Sequence, residues 1–296
     1  MGSVFTTVAL PVALAIVMLG LGLGLARADF LRVLRHPKVT IVALVCQILV
    51  LPATCFLLIL AFGLPPALAV GMMLLAAAPG GTSANLFSHL FRGDVALNIS
   101  LTAVNSVLAL VSLPVLVNLS ISYFGAGTAE IGTQAKTAID VFVIVLLPVI
   151  VGMLLRSRRP AWADRMERPV RIASFAILVL VLLAAIATNW DLLAQEFGRL
   201  SVITVLFCLL SLSVGFVVPR LFGAPRRQAI ATSFEIGIHN ATLAIVVAQT
   251  VLGSTELSLP AAVYGVLMLP LAFAFGTLIR DRSVIRDRSV VRPGAA

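Results

Sequence analysis

The residues able to do chemistry in this chain fall into two short stretches. The first reads Ala78-Pro79-Gly80-Gly81-Thr82-Ser83-Ala84-Asn85, in which a proline and two glycines interrupt an apolar run and are followed by side chains carrying oxygen donors. The second reads Ser233-Phe234-Glu235-Ile236-Gly237-Ile238-His239-Asn240-Ala241-Thr242, an acid, a glycine, a histidine and an asparagine set between apolar stretches. Where a helix breaks, freed N–H groups at a half-helix N-terminus attract anions, and freed carbonyls at a half-helix C-terminus attract cations. Pro79, Gly80, Gly81 and Gly237 are the residues expected to make the breaks. A carboxylate and amide oxygens beside them suit ion binding rather than covalent catalysis. No HExxH, GxSxG or Walker A pattern occurs, and Gly20-Leu21-Gly22-Leu23-Gly24 has no strand before it to make it a nucleotide loop. That run offers either close helix packing or a helix end, and an enzyme is not expected.

The elements that must position these residues are membrane helices. Of 296 residues, 60% are hydrophobic and 11% charged, against about a quarter charged in an ordinary soluble domain, and the mean hydropathy is +1.12. This composition excludes a soluble domain, a disordered chain, and a collagen or disulfide scaffold. Cys46, Cys55 and Cys208 lie inside apolar runs, without disulfide or metal spacing, and read as small buried residues. A crossing needs about 20 mostly apolar residues. Nine segments qualify, near 4–26, 38–62, 67–91, 94–122, 133–155, 170–188, 200–222, 226–251 and 259–279. Their apolar runs do not alternate as barrel strands do, so the expected fold class is an all-α polytopic membrane protein with nine transmembrane helices. The first segment is expected to be a span and not a signal peptide, because the first basic residue, Arg27, follows it.

Short cytoplasmic loops collect Lys and Arg. With nine spans, 19 of the 21 basic residues share one face, and only Lys136 and Arg199 fall on the other. The N-terminus is therefore expected outside a cell membrane and the C-terminus in the cytoplasm. The net charge of +9 then reports orientation, so lipid is an expected partner and nucleic acid is not. A single membrane domain is expected over 1–279. The remainder, 280–296, is expected to be a disordered cytoplasmic tail whose Arg-rich repeat, at Arg280 and Arg286, could meet anionic headgroups. A monomer is the default oligomeric state.

Glu235 is the most informative single residue. A carboxylate near mid-membrane costs at least about 2.5 to 3.5 kcal/mol and marks an ion or substrate pathway by default. No Lys or Arg lies at matching depth in any span, so the carboxylate must be protonated or must face a mobile cation. With the span at 133–155 set aside, 4–122 and 170–279 form two groups of four, and the break falls in the third member of each. A single span, an odd number, separates the two groups and so inverts one relative to the other. Interrupted helices at matching places of inverted halves point to the midplane site of a secondary transporter. Asn98, Thr102 and Asn105 share one helical face, and Gln47 lies in the second span; interhelical hydrogen bonding accounts for such residues as well as ion binding does. Asp140, near the outer end of the span at 133–155, reads either as a pathway residue or as an acid favoured in a first helical turn by the helix dipole alone. His36 and His89 fall at the cytoplasmic boundary and are expected to be solvated.

Taken together, Pro79-Gly80-Gly81-Thr82-Ser83-Ala84-Asn85, the downstream Gly93-Asp94-Val95-Ala96-Leu97-Asn98, and Glu235-Ile236-Gly237-Ile238-His239-Asn240 resemble the signature stretches of the bile acid:sodium symporter family, over nearly the whole chain. The resemblance implies core and panel sub-bundles and two inverted repeats of five helices, with broken helices crossing near two sodium ions. Nine spans here would then mean that the family's first helix is missing. It implies one sodium site near Ala84, Asn85, Asn98, Thr102 and Glu235. A second would comprise Gln47, Glu235, the backbone at Ile236 and Ile238, and the side chain of His239. The chain departs from the family pattern at Ala84 and Asn98, where Ser is common, and at His239, where Gln is usual. An imidazole nitrogen is a poorer ligand than an amide oxygen for a hard ion such as Na+, but it exchanges protons near neutral pH. The implied activity is sodium-coupled import of an organic anion, bile-acid-like or a small monocarboxylate such as pantoate or a keto acid, met near Thr82, Ser83 and Asn240. Proton coupling through Glu235 and His239 is the rival within transport, and a membrane sensor or scaffold that moves no solute is the rival outside it. No cofactor is expected beyond the coupling ion.

Overall fold

The computed structural model describes residues 10–24, 27–125, 147–188 and 190–280. These residues are almost entirely helical, with one isolated β-bridge and no strand among them. Helix α1 is Leu10–Gly24, α2 the short Arg27–Val33, α3 Pro37–Val45 and α4 Leu51–Phe62. An interrupted helix comes next as α5 (Pro66–Ala77) and α6 (Thr82–Leu90), and then the long α7 (Val95–Phe124). A helical stretch at 147–158, α8, leads into α9 (Pro160–Thr188) and α10 (Trp190–Leu221). A second interrupted helix, α11 (Arg226–Gly237) and α12 (Ala241–Thr250), precedes α13 (Leu259–Ile279). Among the described residues, four stretches are long and apolar enough to cross a membrane uninterrupted: Pro37–Phe62, Val95–Phe124, Trp190–Leu221 and Glu256–Ile279. The expected spans at 4–26 and 133–155 lie only partly within the described residues; Lys136, Asp140 and the tail after Arg280 lie outside them.

Two expected boundaries shift. The segment between spans at 156–169 is mostly helix, because α9 begins at Pro160, a residue pre-set for the first helical position. Helix α10 begins at Trp190, ten residues before the apolar run. Arg, Glu, Leu and Ala form helix in water as readily as in lipid, so the helices overrun the apolar segments that mark them in the sequence.

The polarity of the bundle is inverted relative to a soluble protein. Large apolar side chains such as Leu49, Leu57, Val111 and Leu119 face outward, whereas Asn98, Ser100, Thr232, Ser233, Glu235 and His239 are wholly buried. Lipid offers no hydrogen bonds, so polar groups must collect inside and apolar ones can face out. This is a multi-pass membrane protein. Helix α11, rich in such polar groups, is tied to α10 by the Thr232 hydroxyl donating to Gly215 O at 2.7 Å and the Ser233 hydroxyl donating to Leu212 O at 2.7 Å.

A helix defect and a close helix contact shape the rest of the bundle. Between α3 and α4 the helix widens into a π turn at Cys46–Val50, where the Leu51 N–H reaches the Cys46 carbonyl. Pro52 supplies no N–H and its ring presses on the carbonyl four residues back, so the widened turn relieves that clash and carries Gln47, which is buried. On the other side, Gly22 of α1 and Gly152 of α8 let two backbones touch. A Cβ on Gly22 would strike the Val149 carbonyl, and one on Gly152 would lie 2.8 Å from Leu23 N. Small residues allow this approach where no hydrophobic force drives helices together. Gly152→Val should therefore lower unfolding stability by about 1–3 kcal/mol through overpacking, seen as a lower thermal midpoint in detergent. Gly24→Val, where a Cβ meets nothing within 4 Å, should shift it far less.

Candidate functional site

Both breaks arise from local sequence. Ala78 precedes proline, whose ring disfavours a helical conformation there, and it is extended at ψ 138°. Gly81 is also extended and caps α6. At the second break, α11 ends at Gly237, and the Asn240 side-chain oxygen accepts the Leu243 N–H at 3.0 Å to cap α12. The two extended segments then pair. The Gly81 N–H donates to Ile238 O at 2.8 Å, and the Asn240 N–H donates to Pro79 O at 2.8 Å, bracketing an antiparallel bridge between Gly80 and His239. Each break thus supplies part of what the other exposes.

Glu235 lies one turn before the second break and is wholly buried. Its carboxylate accepts from the Thr102 hydroxyl, from Asn105 Nδ2 at 2.9 Å and from the N–H of Gly80. A Cβ on Gly80 would strike this carboxyl group and lie 2.6 Å from the Glu235 carbonyl oxygen, so the approach requires glycine. Among the described residues, no cationic side chain forms an ion pair with Glu235. Three neutral donors solvate the charge without cancelling it.

Several buried acceptors on the helices that meet here have no donor from the protein. Asn98 Nδ2 donates to Ala84 O at 3.2 Å, to Ala231 O at 3.1 Å and to Ser88 Oγ. The two carbonyls can only accept, which fixes the amide orientation and leaves Oδ1 buried without a partner. The same argument applies to Asn105, whose NH2 faces a carboxylate, and its Oδ1 is also buried and partnerless. So is Asn85 Oδ1. Gln47 Nε2 binds the carbonyls of Ala76 at 3.4 Å and Ala78 at 3.2 Å, leaving Oε1 without a partner. His239 Nδ1 lies 3.2 Å from that same Ala78 carbonyl. It therefore carries the proton of this contact, and Nε2, buried and partnerless, presents a lone pair. The ring is held by stacking on Phe207 at 5.3 Å and 4°, and Tyr264, 5.5 Å away, donates its hydroxyl to Gly237 O at 2.8 Å. Buried polar atoms are nearly always paired, and several acceptors left without donors beside an uncompensated carboxylate suit a small hard cation.

The expected residues gather in two groups. Asn98, Thr102 and Glu235 come together, with Ala84 joined through its carbonyl to Asn98. Gln47 and His239 meet at the Ala78 carbonyl. The Ile238 carbonyl already accepts from Gly81, whereas that of Ile236 has lost its helical donor, since the Asn240 N–H turns to Pro79. Thr82 begins α6, Ser83 is half-buried beside it, and Asn240 acts as a helix cap. Asn105 touches Glu235 directly; its shared face with Asn98 and Thr102 was the available signal. Tyr264 had none. His36, expected to be solvated, lies with Nδ1 3.2 Å from Gln228 Nε2, and the three cysteines are buried and unbridged.

A helical membrane protein in which two interrupted helices meet at a buried carboxylate has the build of a secondary transporter. The chain belongs to the sodium bile acid symporter family, whose model matches residues 11–196, and that family comprises transporters rather than enzymes. The chain is 27% identical over 273 residues to a probable chloroplastic sodium/metabolite cotransporter of Oryza sativa subsp. japonica, covering 92% of this chain and 64% of the rice protein. It is 27% identical to the ileal sodium/bile acid cotransporter of Oryctolagus cuniculus, over 83% of this chain and 71% of the rabbit protein. To the uncharacterized sodium-dependent transporter YocS of Bacillus subtilis it is 26% identical, over 89% of this chain and 81% of that protein. The chain thus spans under two thirds of the rice relative's length.

Asn98 is the tie between α6, α7 and α11. Asn98→Ala leaves the Ala84 and Ala231 carbonyls buried without their donor, at about 1–3 kcal/mol each. A clear drop in unfolding midpoint is expected, and Asn98→Asp, which when ionised cannot donate, should not rescue it.

Proposed function

We propose that the chain is a sodium-coupled symporter of an organic monoanion. The observation that carries this reading is the wholly buried Glu235 carboxylate at the meeting of two helix breaks, together with buried amide oxygens of Gln47, Asn85, Asn98 and Asn105 that no protein donor satisfies. One Na+ is held by Asn85, Asn98, Thr102 and Glu235 near Ala84. A second is held by Gln47, Glu235, the backbone at Ile236 and Ile238, and His239. The nitrogen at His239 makes the second site the weaker, since Na+ favours oxygen. Sodium is preferred over a proton because so many partnerless oxygens exceed what a single proton uses. The relatives' names are in keeping, pairing sodium with bile acid in the rabbit protein and with a metabolite in the rice protein.

Among the described residues, no Lys or Arg side chain is bonded at either break. The anion is met by the half-helix N-termini near Thr82, Ser83 and Asn240 and by the bound cation. That supports one carboxylate rather than two, on a bile-acid-like molecule or a small acid such as pantoate or a keto acid. Nine spans run as inverted groups over 4–122 and 170–279, with 133–155 unpaired, in one domain over 1–279. The N-terminus is outside and the C-terminus in the cytoplasm of a cell membrane. Sodium binding stabilises the outward-open form, and core and panel rock about the breaks.

Proteoliposomes loaded against an imposed Na+ or H+ gradient and offered labelled taurocholate, pantoate or a keto acid test this. Uptake should track the Na+ gradient, and Glu235→Gln should abolish it while leaving the protein folded. Near-wild-type uptake by that variant would remove Glu235 from the coupling site. For orientation, a cysteine introduced at Arg158 should react with an impermeant reagent only after the cytoplasmic face is opened. Labelling in intact cells would contradict the nine-span arrangement.

A further inference from the structure

We infer that Asn105 is a direct oxygen ligand of the sodium ion paired with Glu235, and that it sets the preference of that site for Na+ over the smaller Li+. The inference rests on the sodium-coupled reading of the site and adds a residue to it. Asn105 is 2% exposed and lies one helical turn after Thr102 on α7. Its Nδ2 donates to Glu235 Oε1 at 2.9 Å. A carboxylate accepts and does not donate when ionised, so this bond fixes which end of the amide is nitrogen. With the nitrogen fixed, the planar amide carries its oxygen within a few ångströms of the same carboxylate, a span that one bound cation bridges. That oxygen is buried and has no hydrogen-bond partner in the protein.

A residue needed only to hold Glu235 in place would not require this arrangement. Thr102 holds the other carboxylate oxygen with a hydroxyl. An amide at 105 adds a buried acceptor that the protein leaves unmatched, which is unfavourable unless a ligand takes it. Ala84 contributes no side-chain oxygen, and Asn98, whose NH2 serves two carbonyls and Ser88, keeps its Oδ1 free as Asn105 does. Helix α7 then offers Asn98, Thr102 and Asn105 along one face, with Thr102 and Asn105 meeting Glu235 of α11. Among cations of one charge type, the number of oxygens and the size of the cage they form decide which ion fits. Removing one oxygen should therefore penalise the larger ion more.

The test is equilibrium ion binding to the purified full chain in choline buffer, read as the shift in thermal unfolding midpoint on titration with NaCl or LiCl. Asn105→Leu should raise the half-saturating Na+ concentration about tenfold or more, the effect expected for losing a polar contact to a charge. It should change the Li+ value much less, so the Li+ to Na+ ratio moves toward Li+. Asn105→Ser is a gentler change that retracts the oxygen while keeping a hydroxyl, and it should show the same shift in ratio should the Leu variant fail to fold. Unchanged Na+ affinity in either folded variant overturns the assignment. Equal weakening of both ions also overturns it, because that is the signature of a residue that merely positions Glu235. A wild-type protein that gains nothing from Na+ would overturn the sodium reading itself, and is distinguishable because it appears before any variant is made.

Discussion

A carboxylate buried in a lipid-facing bundle, with no fixed counter-charge among the described residues, is the constraint on which the rest of this structure depends. Glu235 is surrounded by neutral donors, from Gly80, Thr102 and Asn105, and these lower the expense of burying a charge without removing it. To bring a backbone N–H to the carboxylate, the first interrupted helix must break opposite Glu235, and residue 80 must have no side chain. To free that N–H from a helix, Pro79 must precede it. To keep the opened backbone from facing lipid, a second break must lie alongside and complete its hydrogen bonds. One carboxylate therefore accounts for the proline, the glycines and the pairing of segments from opposite ends of the chain.

The same economy explains why the acceptors are left over. Backbone bonds between Gly81 and Ile238 and between Asn240 and Pro79 use most of the groups the breaks release. The NH2 groups of Gln47 and Asn98 satisfy carbonyls at Ala76, Ala78, Ala84 and Ala231. Each amide serves its backbone neighbours with nitrogen, and what remains inward is oxygen. A cation that binds these oxygens draws on α6, α7 and α11 together, so its arrival and departure can bias how those helices sit relative to one another. That is the physical content of coupling in the proposed account.

Much of this was legible in the sequence because membrane constraints are severe. An acid within an apolar run and a Pro-Gly-Gly break in another singled out the two segments that the structure brings together at Gly80 and His239. The features that escaped belong to tertiary packing. Nothing in the sequence near Gln47 announces the π turn, which arises from Pro52 acting on the preceding turn. Asn105 read equally well as interhelical glue until its NH2 was found on Glu235. The cap role of Asn240 was hidden because Asn serves caps, ligands and substrates with the same atoms. Helix ends at Pro160 and Trp190 were missed because apolar length locates the lipid-facing part of a helix and says nothing of how far it continues into water.

The central claim is that the uncompensated charge of Glu235 is matched by a mobile sodium ion. Equilibrium binding of radioactive sodium to the purified protein tests it most directly, because it counts ions without requiring a known substrate. The account predicts saturable binding of at least one Na+ per chain that excess choline does not displace. Sodium retention no greater than that of an equal mass of an unrelated membrane protein would contradict it.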